Sequence, residues 1–123
     1  MPARAWLLVA GLLLVSTVAG AAPLALEVEQ VEVGFDQRTN EPVISFRLTE
    51  ASGRQFAAFT SANVGKKAAL RVDGRTLVEP VIREPILGGA GQISAGLKVE
   101  EARDLADRLS SGRAKMEVEA VAE

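Results

Sequence analysis

Residues 68 to 82 read Ala-Ala-Leu-Arg-Val-Asp-Gly-Arg-Thr-Leu-Val-Glu-Pro-Val-Ile. Asp73-Gly74 between two β-rich runs is a hairpin signal, because a type I′ turn needs positive φ at both central residues and Asp and Gly tolerate it. The stretch therefore predicts a strand over Ala68 to Val72 and a second over Arg75 to Ile82. Pro80 has no N–H to give to a ladder, so the second strand lies at a sheet edge or stops there.

Working outward, the preceding residues change period. Residues 50 to 64 (EASGRQFAAFTSANV) place Phe56, Phe59 and Asn63 or Val64 three and four apart, which predicts a helix. Ser52 with Gln55 forms a candidate capping box, and Thr49 is a candidate cap for an earlier start. Gly65 stands where a left-handed C-terminal cap belongs, with Lys66 and Lys67 at the negative end of the helix dipole.

Further upstream, residues 26 to 35 (LEVEQVEVGF) alternate apolar and polar as a half-buried strand does. The phase slips once. Leu26 and Val28 share a parity, whereas Val31, Val33 and Phe35 take the other, so Glu29-Gln30 is a bulge candidate. The polar tract Asp36 to Pro42 turns the chain, and Ile44, Phe46 and Leu48 line one face of a second strand.

Downstream, residues 83 to 97 (REPILGGAGQISAGL) carry Pro85 and glycines at 88, 89, 91 and 96. They predict a loop or crossover with a short strand at Gln92 to Ser94. From Val99 to Ser111 a second helix aligns Ala102, Leu105, Ala106 and Leu109, with Arg103/Asp107 and Asp104/Arg108 as i,i+4 pairs on the other face. Gly112 ends it. Met116, Val118 and Ala120 alternate in a last strand. The order implies an α+β fold: two helices packed on a mostly antiparallel sheet, ferredoxin-like in spirit.

Composition narrows the chemistry. The 123 residues include no Cys, no His and no Tyr. A Ser-His-Asp or Cys-His nucleophile, cysteine redox chemistry and a Cys/His zinc site are thereby excluded. With 14 basic against 16 acidic side chains, the formal charge of -2 gives no positive field for a nucleic-acid backbone. No disulfide is available, so the core stabilises the domain alone.

The N-terminus reads as a signal peptide over residues 1–21. Met1 to Arg4 is a short positive region, Ala5 to Val18 is apolar, and Ala19-Gly20-Ala21 has small residues suited to cleavage after Ala21. Nothing between Arg4 and Glu27 is charged, so the alternative is an uncleaved segment anchoring the chain in the inner membrane. The expectation is a periplasmic protein of one domain, residues 22–123, touching the membrane only through an uncleaved leader.

The ordered set Phe46-x-Leu48, Phe56, Thr60, Asn63, Gly65-Lys66, Asp73-Gly74, Pro80, Ile86, Gly88-Gly89, Gly91, Ile93-Ser94, Val99-Glu100-Glu101-Ala102 and Gly112 resembles SecD. More narrowly, it is similar to the head subdomain of the first periplasmic domain of SecD and SecDF, the bacterial protein-export subunits. The likeness spans Phe46 to Gly112. It implies a mobile head that contacts the exported chain, without the family's membrane-embedded, proton-driven part. Three departures stand out. Ala95 replaces the Gly that follows Ile-Ser, Lys98 replaces the Thr that opens the second helix, and Arg113-Ala114-Lys115 replaces a Leu-Pro.

From this likeness follows a non-enzymatic exported accessory binding unfolded or translocating polypeptide, or the Sec translocon. Ile86, Leu87, Ile93 and Leu97, spaced by glycines, would form a shallow apolar surface for such a chain. The alternative is a repurposed periplasmic partner-binding or inhibitory module that keeps the fold without the export role. The remaining polar residues read as structural. The glycine-rich segment lacks a following Gly-Lys-Ser/Thr and any GxGxxG spacing. Glu100 and Glu101 diverge by about 100° around the helix, so they do not converge on one substrate. Thr60 and Asn63 read as polar braces and Asp73 as a turn residue. No catalytic residue, cofactor or metal is expected.

Overall fold

The computed structural model describes residues 22–121. The elements are β1 (Leu24–Leu26), β2 (Val28–Phe35), β3 (Pro42–Leu48), α1 (Glu50–Ala62), β4 (Ala68–Val72), β5 (Arg75–Val78), β6 (Ala90–Ile93), α2 (Val99–Ser110) and β7 (Met116–Ala120). Every strand pair is antiparallel, and the fold is α+β with two helices. The strands divide into two sheets, ordered β1-β7-β4-β5 and β2-β3-β6, where the alternation alone suggested one.

The reason for the division lies at Glu27. Its N–H is given to the buried Ser52 hydroxyl at 2.8 Å, and its carbonyl accepts from Thr49 N–H at 3.0 Å. Both backbone groups are thus spent on the start of α1 rather than on a neighbouring strand. Leu26 before it packs in the four-stranded sheet, opposite Met116, while Val28 after it pairs with Leu48. The register of β2 against β3 then shifts between Val28 and Gln30, at the bulge the parity slip anticipates.

The central hairpin forms as read. Asp73 has φ 50° and Gly74 has φ 83°, the mirror-image turn that Asp-Gly favours. β5 is an edge strand and stops at Val78, two residues before Pro80, whose carbonyl still accepts from Ala68 N–H at 3.0 Å. Asp73 also ties the hairpin to the rest of the chain. One carboxylate oxygen accepts from Lys115 N–H at 2.9 Å and the other from Arg108 at 3.0 Å.

Thr49 caps α1, accepting from Ser52 N–H at 3.2 Å, so the earlier of the two candidate starts is used. At α2 the cap position is Lys98, whose ammonium has no lone pair to offer. Half of a capping box survives, because the Glu101 carboxylate accepts from Lys98 N–H at 3.0 Å. Asp104 and Arg108 pair at 3.1 Å, but Asp107 turns from Arg103 to Arg113, at 2.6 Å. Arg113 follows the helix end, where its N–H also closes on the Arg108 carbonyl at 2.8 Å.

One apolar core joins both sheets to both helices. Ile44 and Ile93 come from one sheet, Met116 and Val118 from the other, with Phe56 from α1 and Leu105 from α2. β6 begins two residues before its predicted start. Gly91 lies opposite Phe46, and a Cβ added there would sit 2.8 Å from the end of the Phe46 ring. The glycine makes room for a neighbour's side chain, so a residue of poor strand propensity belongs to the sheet.

Candidate functional site

Between β5 and β6 the chain first runs beside residues 65–68, where Val81 bridges Lys67 and Ile82 is buried, and then crosses α1, where one buried hydroxyl sets its path. Thr60, on the third turn of α1, is 1% exposed. Its Oγ1 donates to the Ala57 carbonyl at 3.1 Å and accepts from Ile86 N–H at 2.9 Å. The loop is thereby pinned to the helix at Ile86. Asn63, one turn on, bonds the Phe59 carbonyl at 2.8 Å and stays within its own helix.

Three residues later a close backbone approach fixes the loop again. A Cβ on Gly53 would stand 3.4 Å from the Gly89 Cα, and Gly89 has φ 68°, which side chains rarely adopt. The Gly89 carbonyl accepts from Leu48 N–H at 2.7 Å, which starts the β3–β6 ladder. Pinned at Ile86 and Gly89, the loop holds Leu87 out, 74% exposed, with Ile86 36% exposed beside it. Leu87, Gly88 and Gly89 form one wall of an open groove of about 390 Å³, with Arg47, Glu50 and Arg54 among its other lining residues.

The four apolar candidates therefore separate. Ile86 and Leu87 are at the surface, whereas Ile93 (1% exposed) and Leu97 (8%) are core residues. Ile93 pairs with Ile44 inside the sheet. Residues 1–21, with the expected cleavage positions Ala19 and Ala21, lie outside the described residues. A second shallow groove, about 400 Å³, lies along the outer face of β2, β3 and β6 and is lined by Gln30, Glu32, Ser45, Arg47 and Gln92. Phe46 and Ala90 also line it, so its lining is mixed, and Gln92 bonds Ser45 across the strands at 3.3 Å.

Ser52 is the residue the sequence reading misplaced. It serves not as a cap but as a buried acceptor at the sheet switch, and a serine in a first helical turn carries no signal of that distant partner. The carboxylates have structural partners: Glu101 at Lys98 N–H, Asp73 at Arg108, Glu119 at Arg71. Among the described residues, no three His, Cys, Asp or Glu side chains come together in a way that could hold a metal. No described helix is long and apolar enough to cross a membrane.

The fold and this surface define a class: a small antiparallel α+β module that presents an apolar loop step and shallow grooves of mixed lining. Comparison with known proteins narrows it. The family model for the SecDF P1 head subdomain matches residues 24–115, and the chain belongs to that family. It is 46% identical over 78 residues to the protein translocase subunit SecD of Thermobaculum terrenum, and 42% over 78 residues to that of Acetobacter pasteurianus. Each match covers 63% of this chain and 15% of the relative, so the chain spans only a small part of the SecD subunits it matches.

Solved structures agree. A structure of SecDF, described as a membrane component that enhances protein export, aligns with TM-score 0.65 at 35% identity, over 69% of this chain and 38% of that one. A SecDF structure in a super-membrane-facing form aligns with TM-score 0.65 at 34% identity, over 76% of this chain and 13% of that one.

Proposed function

We propose that this chain is an exported, non-enzymatic accessory of protein export that binds translocating polypeptide on the periplasmic side. Membership of the SecDF head family supports the export setting. The observation that carries the binding role is the pair Ile86 and Leu87, held outward by Thr60 and by the Gly53–Gly89 approach. An apolar side chain on a loop tied at both ends offers contact without a large ordering cost. Ile93 and Leu97 are buried, so the presented surface reduces to Ile86 and Leu87. The Sec translocon itself is the other partner in this setting.

Residues 1–21 act as the signal peptide, cleaved after Ala21, and residues 22–123 form the domain. An uncleaved leader would leave the same domain anchored at the inner membrane, on the same side. The grooves beside the loop are shallow, with polar and apolar residues both lining them, which suits transient contact with chains of many sequences better than one tightly fitted ligand.

A photo-crosslinking amino acid at position 86, in intact cells, tests this, with adducts identified by mass spectrometry. Adducts with many unrelated exported chains, or with the translocon, are expected. A single discrete partner unconnected with export would instead identify a repurposed binding or inhibitory module. The replacement of the Leu-Pro segment by Arg113-Ala114-Lys115, with Arg113 engaged by Asp107, is the feature that favours this second reading.

A further inference from the structure

The stretch that follows Leu87 ends in an open strand. Among the described residues β6 pairs only with β3, in the register Arg47↔Ala90, Phe46↔Gly91, Ser45↔Gln92 and Ile44↔Ile93. The bond from Leu48 N–H to the Gly89 carbonyl fixes which residues face which way. In an antiparallel ladder, hydrogen-bonded and non-hydrogen-bonded pairs alternate. Gly89, Gly91 and Ile93 thus turn their main-chain groups toward β3. Ala90 and Gln92 turn their N–H and C=O the other way, where the sheet has no further strand among the described residues, and both residues are exposed.

The three other sheet edges are blunted. β2 carries Glu29 and Glu32, β5 begins with Arg75 and gives way to Pro80, and β1 has three residues. Proteins commonly protect edges with charge, proline or brevity, because a bare edge templates another strand. Ala90 to Ser94 (AGQIS) has no charge and no proline. Its main-chain groups fit one kind of occupant, since only an extended backbone presents donors and acceptors at the matching spacing.

We infer that the β6 edge, through the N–H and C=O of Ala90 and Gln92, takes an extended polypeptide segment by strand addition. This rests on the reading that the chain binds translocating polypeptide, and it names how. Main-chain hydrogen bonds do not depend on the side chains of the guest, so one edge serves chains of unrelated sequence. Ile86 and Leu87, on the segment leading into β6, offer apolar contact where the guest passes the end of the edge. The brevity of β6 keeps the contact weak enough to release a moving chain.

The test uses the purified protein and two labelled synthetic peptides of alternating Val and Thr, followed by fluorescence anisotropy. The peptides share every side chain, but one is N-methylated at every backbone amide of its central residues, so that neither of its edges can donate. N-methylation is expected to weaken binding about tenfold or more, since at least two main-chain bonds are lost. Gln92→Pro, which deletes an outward N–H and spares the ladder to β3, should weaken the unmethylated peptide similarly, with an unchanged circular dichroism spectrum. Equal binding of both peptides would overturn strand addition while leaving polypeptide binding intact. Binding of neither would overturn the binding role itself. A protein that self-associates through β6, seen as a dimer abolished by Gln92→Pro, would show that the edge belongs to a second copy and would also refute the inference.

Discussion

Replacing Thr60 by valine removes one oxygen from a site where two hydrogen bonds meet. Thr60 Oγ1 is the acceptor for Ile86 N–H at 2.9 Å, and valine keeps nearly the same volume without that acceptor. The other bond, to the Ala57 carbonyl, costs little to lose, because that oxygen retains its helical partner. The Ile86 N–H has no such second partner. An orphaned buried amide costs about 1–3 kcal/mol. Ile86 is 36% exposed, so the loop has a route to water by swinging outward, and the lower half of that range applies. At about 4–8 °C per kcal/mol for a domain of this size, the melting temperature should fall by about 4–16 °C.

Melting alone would not isolate the hydrogen bond. Thr60→Ser keeps both bonds but loses a buried methyl, itself worth about 1 kcal/mol. The two variants should therefore melt similarly and differ in hydrogen exchange. In Thr60→Val the Ile86 amide should exchange about tenfold faster relative to amides of the β4–β7 ladder, because the loop opens locally. In Thr60→Ser it should not. If the Ile86 amide exchanges at the same relative rate in all three proteins, Thr60 is not what pins the loop, and the argument for a presented Ile86–Leu87 step fails with it.

Two further substitutions probe the frame around the loop. Lys98→Thr should raise stability by about 1 kcal/mol in thermal or urea unfolding, because a hydroxyl at the N-cap accepts the helix amide that the ammonium cannot; no gain would mean that water already serves that amide as well as a hydroxyl does. Asp73→Ala should cost about 1–2 kcal/mol through loss of the Lys115 N–H acceptor and of a residue that tolerates positive φ. Asp73→Asn, which keeps both features and loses only the partly exposed pair with Arg108, should cost under about 1 kcal/mol, and equal losses for the two would assign the effect to charge alone.

Local features of this fold were legible wherever a residue's own backbone preference decides the outcome. Asp73-Gly74 demands its turn, Pro80 ends its strand, and Thr49 and Gly112 bracket helices. The parity slip after Val28 was legible too, as a bulge. What it could not disclose is that the chain changes sheets one residue earlier, because that depends on Ser52 reaching Glu27 across 25 positions. The same limit applies to Arg103 and Asp107. Their spacing is right for a pair, but Arg113, folded back from beyond the helix, is the nearer partner.

The surface shows the limit most sharply. Ile86, Leu87, Ile93 and Leu97 are alike in sequence: aliphatic residues among glycines, without a period long enough to assign a face. Burial is decided elsewhere, by whether Ile44 and Phe46 of another strand arrive above the residue or a helix hydroxyl holds it away. Ile93 comes to lie beside Ile44 because Gly91 leaves room for the Phe46 ring and so lets β6 close on β3. Leu87 stays out because the chain is tied on either side of it, at Ile86 and at Gly89. The glycines thus have opposite consequences within a few residues. Gly91 draws its neighbour into the core, while Gly88 and Gly89 let the preceding leucine project. A glycine-rich apolar segment is therefore best read as two parts, a strand that closes the sheet and a step presented beside its open edge.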